Sequence, residues 1–194
     1  EVAALIQRIR RVLSVFRSVA VHMCAHSQNS DESALHLCGR IDAIGRAVLA
    51  PISFDGIDLE SLILDELQMR AADPERFLIS GAEVRLPPKE AELMSLVIHE
   101  LATNAVKYGA LSQSSAKIRV VWKTAYRAGS RSLHFEWRES GVKMTDGAPF
   151  RTGFGSELVE RLIARQLKGE GKMAFLPDGV HCTIQIPVDE ARSP

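Results

Sequence analysis

The segment His99-Glu100-Leu101-Ala102-Thr103-Asn104-Ala105-Val106-Lys107-Tyr108-Gly109 places a carboxylate, an amide and an ammonium at positions 100, 104 and 107. On a helix, residues three and four apart share a face, so the three groups project together. Such a trio suits a hydrated magnesium ion and the phosphates it bridges, because Mg²⁺ prefers oxygen ligands and keeps several waters. Taken alone, the same spacing also describes a solvated polar face. Downstream, Trp137-Arg138-Glu139-Ser140-Gly141 reads as a strand end. A loop through Gly147 and Pro149 follows, and Gly153-Phe154-Gly155-Ser156 opens a helix. Glycines before a helix let backbone N–H groups approach an anion, although a plain turn has the same composition. His181-Cys182-Thr183-Ile184-Gln185-Ile186-Pro187 is a last strand carrying a hydroxyl.

The elements that must position these residues follow from periodicity. Leu5, Ile9, Val12, Phe16, Val19 and Met23 recur in steps of four and three, the spacing of a helix packed along a seam, and Gln7, Arg11, Ser14 and Ser18 collect on its opposite face. After the polar stretch 27–32 a second periodic run goes from Leu35 to Leu49. The two runs predict an antiparallel hairpin with too little apolar surface to stand alone, hence a dimeric four-helix bundle; a helical cap on the next unit is the alternative. A boundary is expected near residue 54, dividing the chain into 1–54 and 55–194. In the second unit Asp58 is positioned to cap a helix running to about Arg70. Phe77–Ser80 and Glu83–Leu86 around Gly81-Ala82 read as a hairpin. A long helix is expected from about Lys89 to Tyr108, strands near 117–124 and 132–138, a helix near 156–167, and strands near 171–176 and 181–188. The fold class is therefore α+β, a mixed sheet with helices on one face and no regular βαβ alternation.

Composition limits the function. The chain has 194 residues, with 24 Lys and Arg balancing 24 Asp and Glu, which argues against a nucleic-acid surface working by general basicity. No apolar stretch approaches the roughly 20 residues of a membrane span. Cys24, Cys38 and Cys182 are odd in number and form no CxxC pair, so they are expected to be small buried hydrophobes in a reducing, cytoplasmic setting. An opening in mid-helix without Met or signal peptide suggests a piece of something longer.

Taken in order, HELATNAVKYGALS (99–112), WRESG (137–141), GFGSELVERL (153–162) and HCTIQIPV (181–188) resemble the ATP-binding boxes of HWE-type sensor histidine kinases, members of the GHKL or Bergerat ATPase superfamily. The name-giving positions are His99, Trp137 and Glu139, and LIQRIRRVLSVFRSVA (5–20) is similar to the dimerisation and histidine-phosphotransfer helix. The resemblance implies a helical hairpin followed by a Bergerat-type α/β sandwich that binds ATP and Mg. It implies that Asn104 ligates Mg²⁺, that Glu100 polarises the acceptor or a water, and that Lys107 balances phosphate charge. Glu139 would read adenine beside Gly141, with Thr183 near the base. His99 and Tyr108 belong to the same nucleotide-binding box, residues 142–152 would form a lid, and Gly153, Phe154, Gly155 and Ser156 would support the phosphates. Implied partners are a second copy or an active kinase, and a response-regulator receiver domain.

The resemblance also exposes departures. The phosphoacceptor position is Gln7, whose amide lone pair is delocalised and cannot form a phosphoramidate; the following Asn is Arg11, and a Gly-Gly-Pro lid entry is reduced to Gly141-Val142-Lys143. His22, His26 and His36 read better as solvated helix positions than as substitute acceptors, and His134 has no assigned role. Two functions remain open: a histidine kinase silenced at Gln7, or a pseudokinase that docks a response regulator or partner kinase. An ATP hydrolase of the same superfamily ranks last.

Overall fold

A computed structural model of the chain describes residues 38–45, 56–68, 70, 73–127, 130–143 and 154–188, and of Pro74, Arg127 and Phe154 the backbone alone. The first-helix seam, Gln7, Cys24, His22, His26, His36, the boundary near residue 54, Gly153 and nearly all of the 142–152 lid lie outside them. Residues 38–45 are helical. They are followed by β1 (Ile57–Asp58), α1 (Leu59–Gln68), β2 (Phe77–Gly81), β3 (Arg85–Leu86), α2 (Pro88–Lys107), β4 (Lys117–Arg127) and β5 (Ser130–Ser140). Then α3 (Phe154–Glu157) runs through a π-helical turn, Leu158–Leu162, into α4 (Ile163–Leu167), and β6 (Glu170–Leu176) and β7 (Gly179–Pro187) close the fold.

Five strands form one sheet in the order β2-β4-β5-β7-β6, with β2 parallel to β4 and every other pair antiparallel. Strict alternation builds the core. Leu133, Phe135, Trp137 and Glu139 of β5 and Cys182, Ile184 and Ile186 of β7 are buried, while His134, Glu136, Thr183 and Gln185 point to the other face. The buried face packs with Leu93, Met94, Leu96, Val97 and Leu101 of α2 and Leu158, Val159 and Ile163 in one core, so the helices cover one side of the sheet.

Local signals set the helix ends. Asp58 Oδ2 accepts from the Ser61 N–H (2.8 Å) and hydroxyl (2.7 Å), the N-cap expected for α1. Pro88 at the first turn of α2 has no N–H to leave unsatisfied.

The expected hairpin of 77–80 with 83–86 does not form. β2 pairs in parallel with β4, Phe77 opposite Ile118, and β3 pairs antiparallel with β1, Leu86 opposite Ile57. The physical cause is Trp122 on β4, whose indole Nε1–H donates to the Ala82 carbonyl (2.7 Å). That bond anchors the chain at the sheet edge just where a turn would fold it back. Cys38 is also exposed rather than buried, whereas Cys182 is buried in the core and its thiol pKa is pushed up to about 12 by burial.

Helix α1 is tied to α2 by a charged cluster. His99 Nδ1 lies 2.7 Å from Glu66 Oε1, Arg70 pairs with the same carboxylate, and Arg70 Nη2 donates to Thr103 Oγ1 (3.3 Å). Removing one member of a buried charge set leaves the others uncompensated. Glu66→Ala is therefore expected to destabilise the fold by about 3 kcal/mol in urea unfolding.

Candidate functional site

Helix α2 presents its polar side chains to different surroundings. His99 is buried with Glu66 against its ring, and so faces α1. Glu100 is also buried: Arg40 Nε and Nη2 donate to its two oxygens at 2.6 and 2.9 Å. The solvated face that spacing alone allows is thus absent at 100. Asn104 is half-buried, and Lys107 and Tyr108 are exposed. The turn of α3 closes over this face, since a Cβ at Gly155 would lie 3.2 Å from Asn104 Nδ2 and 3.8 Å from Glu100 Cβ. Ser156 is buried and its hydroxyl contacts Met173 Sδ (3.4 Å).

The end of α2 meets β5. Gly109 N–H donates to the Asn104 carbonyl (3.1 Å), and Gly109 leaves room that Glu139 fills: a Cβ there would stand 2.0 Å from Glu139 Oε2. Glu139, 1 % exposed, accepts from the Ala110 N–H at 2.6 Å and from Trp137 Nε1–H at 3.2 Å. Trp137 and Glu139 are two apart on one strand and therefore on one face, so the buried indole aims the carboxylate. Arg76 donates to the carbonyls of Ala110 and Gln113 and so holds the 110–113 turn that supplies this N–H. Gly141 takes a left-handed φ of 76°, and beyond it Gln113 both donates to the Lys143 carbonyl (3.0 Å) and accepts from its N–H (2.8 Å). The altered lid entry is therefore fastened by Gln113 and by Val142 N–H on the Asp178 carbonyl (3.0 Å).

Asn104, Gly155, Gly109 and Glu139 are thus linked around the C-terminal end of α2. Thr183 is not with them. It stands opposite Glu136 in the β5–β7 register and lines a groove of ≈ 480 Å³ with Lys123, His134, Glu136 and Lys172, on the face of the sheet away from Glu139. The β7 side chains on the Glu139 face are Val180, Cys182, Ile184 and Ile186, all buried. The apolar alternation of Cys182, Ile184 and Ile186 carried this parity in the sequence. Arg40, Glu66, Arg70 and Arg76 had no such local signal, because each acts on a residue far along the chain.

No family model matches the chain. It is 29% identical over 185 residues to a blue-light-activated histidine kinase of Rhizobium johnstonii, covering 93% of this chain and 51% of that protein. With a protein of the same name from Brucella anthropi it is 34% identical over 113 residues, 58% of this chain and 23% of the relative. The chain thus spans about half the length of the first relative and less of the second. Among solved structures, the Erythrobacter litoralis EL346 blue-light activated histidine kinase superposes with a TM-score of 0.58 at 16% identity, covering 92% of this chain and 59% of that one. Its histidine kinase domain gives 0.56, with 92% and 94% covered. The catalytic domain of the histidine kinase ThkA gives 0.50 at 17% identity, with 69% and 96% covered. At such identities the likeness is one of fold.

Glu139 generates a pH prediction. Burial raises its pKa above the ordinary 4.5, and the hydrogen bonds from Ala110 and Trp137 pull it down by less. A raised folded value means that its stabilising contribution is complete below pH 4.5 and is lost as the pH rises through the folded value. The stability advantage of the parent over Glu139→Ala in urea unfolding should therefore be larger at about pH 4 than at about pH 8. An advantage that grows with pH would contradict this.

The curated relatives and the mixed α+β sheet agree: the chain is similar in sequence to blue-light-activated histidine kinases, and its described part has the fold of a histidine kinase catalytic domain.

Proposed function

We propose that the chain is the ATP-using core of a sensor histidine kinase, with substrate Mg-ATP held between α2, α3 and Glu139. The observation that carries this reading is the convergence of Asn104, Gly155, Gly109 and Glu139 at one end of α2. The open positions there are glycines set against a polar side chain, which is what close approach of a phosphate or a base requires. Glu139 keeps acceptor capacity for an exocyclic amine beyond the two donors already on it. No group of three His, Cys, Asp or Glu side chains among the described residues forms a metal cage. A single amide oxygen at Asn104 fits an ion that keeps most of its waters, and magnesium when bound would neutralise phosphate charge. Lys107, Tyr108, Gly141, Gly153, Phe154 and Ser156 complete the proposed nucleotide region. His99 is assigned a positioning part through Glu66, and Thr183 no part.

In the reaction, a histidine ring nitrogen forms a bond to the γ-phosphorus as the bond to the β,γ-bridging oxygen breaks. ADP leaves with that oxygen, and the ring proton passes to Glu100. Positioning and charge stabilisation supply most of the acceleration in such transfers. The phosphoryl group then goes to an aspartate of a response-regulator receiver domain. Residues 1–54 would supply the dimerisation hairpin and, at position 7, the acceptor site. Among the described residues no helix is long and apolar enough to cross a membrane, and a cytoplasmic location belongs to the proposal. The pseudokinase reading rests on Gln7 alone.

Two measurements decide. Mg-ATP at about 100 times its Kd should stabilise the chain by about 2.7 kcal/mol, read as a thermal shift, and Asn104→Ala should abolish the shift. No shift at millimolar ATP counts against every ATP-using reading. With γ-labelled Mg-ATP, Gln7→His should acquire acid-labile, base-stable label that the parent lacks. Label on neither, with ATP bound, favours the scaffold.

A further inference from the structure

The helical segment 38–45 lies antiparallel on α2 at the base of the proposed site. Ser95 Oγ donates to the Ala43 carbonyl (2.8 Å), His99 Nε2 stands 2.9 Å from where a Cβ of Gly39 would be, and Arg40 grips Glu100. The Arg40–Glu100 pair spans 60 residues, and its side chains are 7% exposed on each side. Both carboxylate oxygens are engaged by a planar fork, the strongest geometry available to such a pair. A carboxylate so held, with both oxygens on the guanidinium and its side chain 7% exposed, is turned away from water and from an incoming imidazole. Glu100 is the one acidic side chain that the α2 box offers beside Asn104.

We infer that Arg40 is an inhibitory positioning residue: segment 38–45 is a latch that keeps Glu100 from acting, and ATP turnover requires its release from α2. The inference rests on the ATP-using reading of the site. It makes the segment on which the N-terminal helices would pull the control point of the reaction. The device is mechanical as well as electrostatic, because a side chain at 39 would crowd the His99 ring on which the segment lies. A larger residue there must lift it, since the ring is held by Glu66. Two independent variants therefore open the same latch, Arg40→Gln by removing the fork and Gly39→Leu by wedging the segment while keeping both charges.

The test measures slow hydrolysis of Mg-ATP to ADP and phosphate by the full chain, water taking the γ-phosphoryl group in place of the histidine absent at Gln7, with melting temperature and ATP affinity followed in parallel. Both variants should raise kcat tenfold or more, the equivalent of about 1.4 kcal/mol in the barrier, with the KM for ATP moving less than threefold. Arg40→Lys, which keeps the charge but not the fork, should fall between Arg40→Gln and the parent. A residue that merely ties the fold together would lower kcat along with the melting temperature. Should Arg40→Gln fail to fold, Gly39→Leu decides alone. ATP binding with parent-like or lower turnover in the folded variants overturns the latch and leaves the ATP reading standing. Absence of ATP binding in the parent overturns both.

Discussion

A charge can be buried only if its partners are buried with it, and α2 is where this constraint shapes the molecule. The helix lies between the sheet, α1 and segment 38–45, and carries His99 and Glu100 on consecutive residues with almost no solvent. Consecutive helical positions point about 100° apart, so the two side chains need partners from different elements. Glu66 of α1 and Arg70 just beyond it serve His99, and Arg40 serves Glu100. The packing of α1 and of segment 38–45 on α2 is therefore fixed by ionic matching as well as by apolar fit. A shift of either along the helix would strand a charge at a cost of several kcal/mol.

The other end of α2 meets the same rule with neutral donors on the carboxyl. Glu139 is held by two N–H donors, which recover less than burial costs, and its carboxyl titrates above the ordinary range. A carboxyl in that condition gains from a further donor. An exocyclic amine brought by a ligand would supply one, whereas an ordinary surface glutamate has water for that purpose. A hydrogen-bonding partner would therefore be favoured at this carboxyl, which the indole of Trp137 already aims. This is preorganisation in its plain sense, paid for in fold stability.

Most of the secondary structure was legible because it is written locally. The apolar period and Pro88 located α2 within a residue at each end, the Asp58 cap located α1, and alternation located the long strands. The strand pairing of 77–86 was not legible, since the Trp122 bond to Ala82 crosses 40 residues and competes with a turn that looks adequate by itself. The face of Thr183 was legible and was missed: a hydroxyl in the right box attracted the assignment, while the parity of Cys182 and Ile184 placed it on the opposite side of the sheet.

The departure at position 7 can be weighed against this. The interactions that aim Glu139 and set α3 on Asn104 all run between residues 76 and 188. None of these contacts involves a residue before Arg76. The link from the N-terminal part to the proposed chemistry runs instead through Arg40, which touches the carboxylate that would take the proton. On the proposed latch, loss of an acceptor and control of the engine are separable: a chain with Gln7 would keep a regulated ATP site, because regulation would enter through segment 38–45.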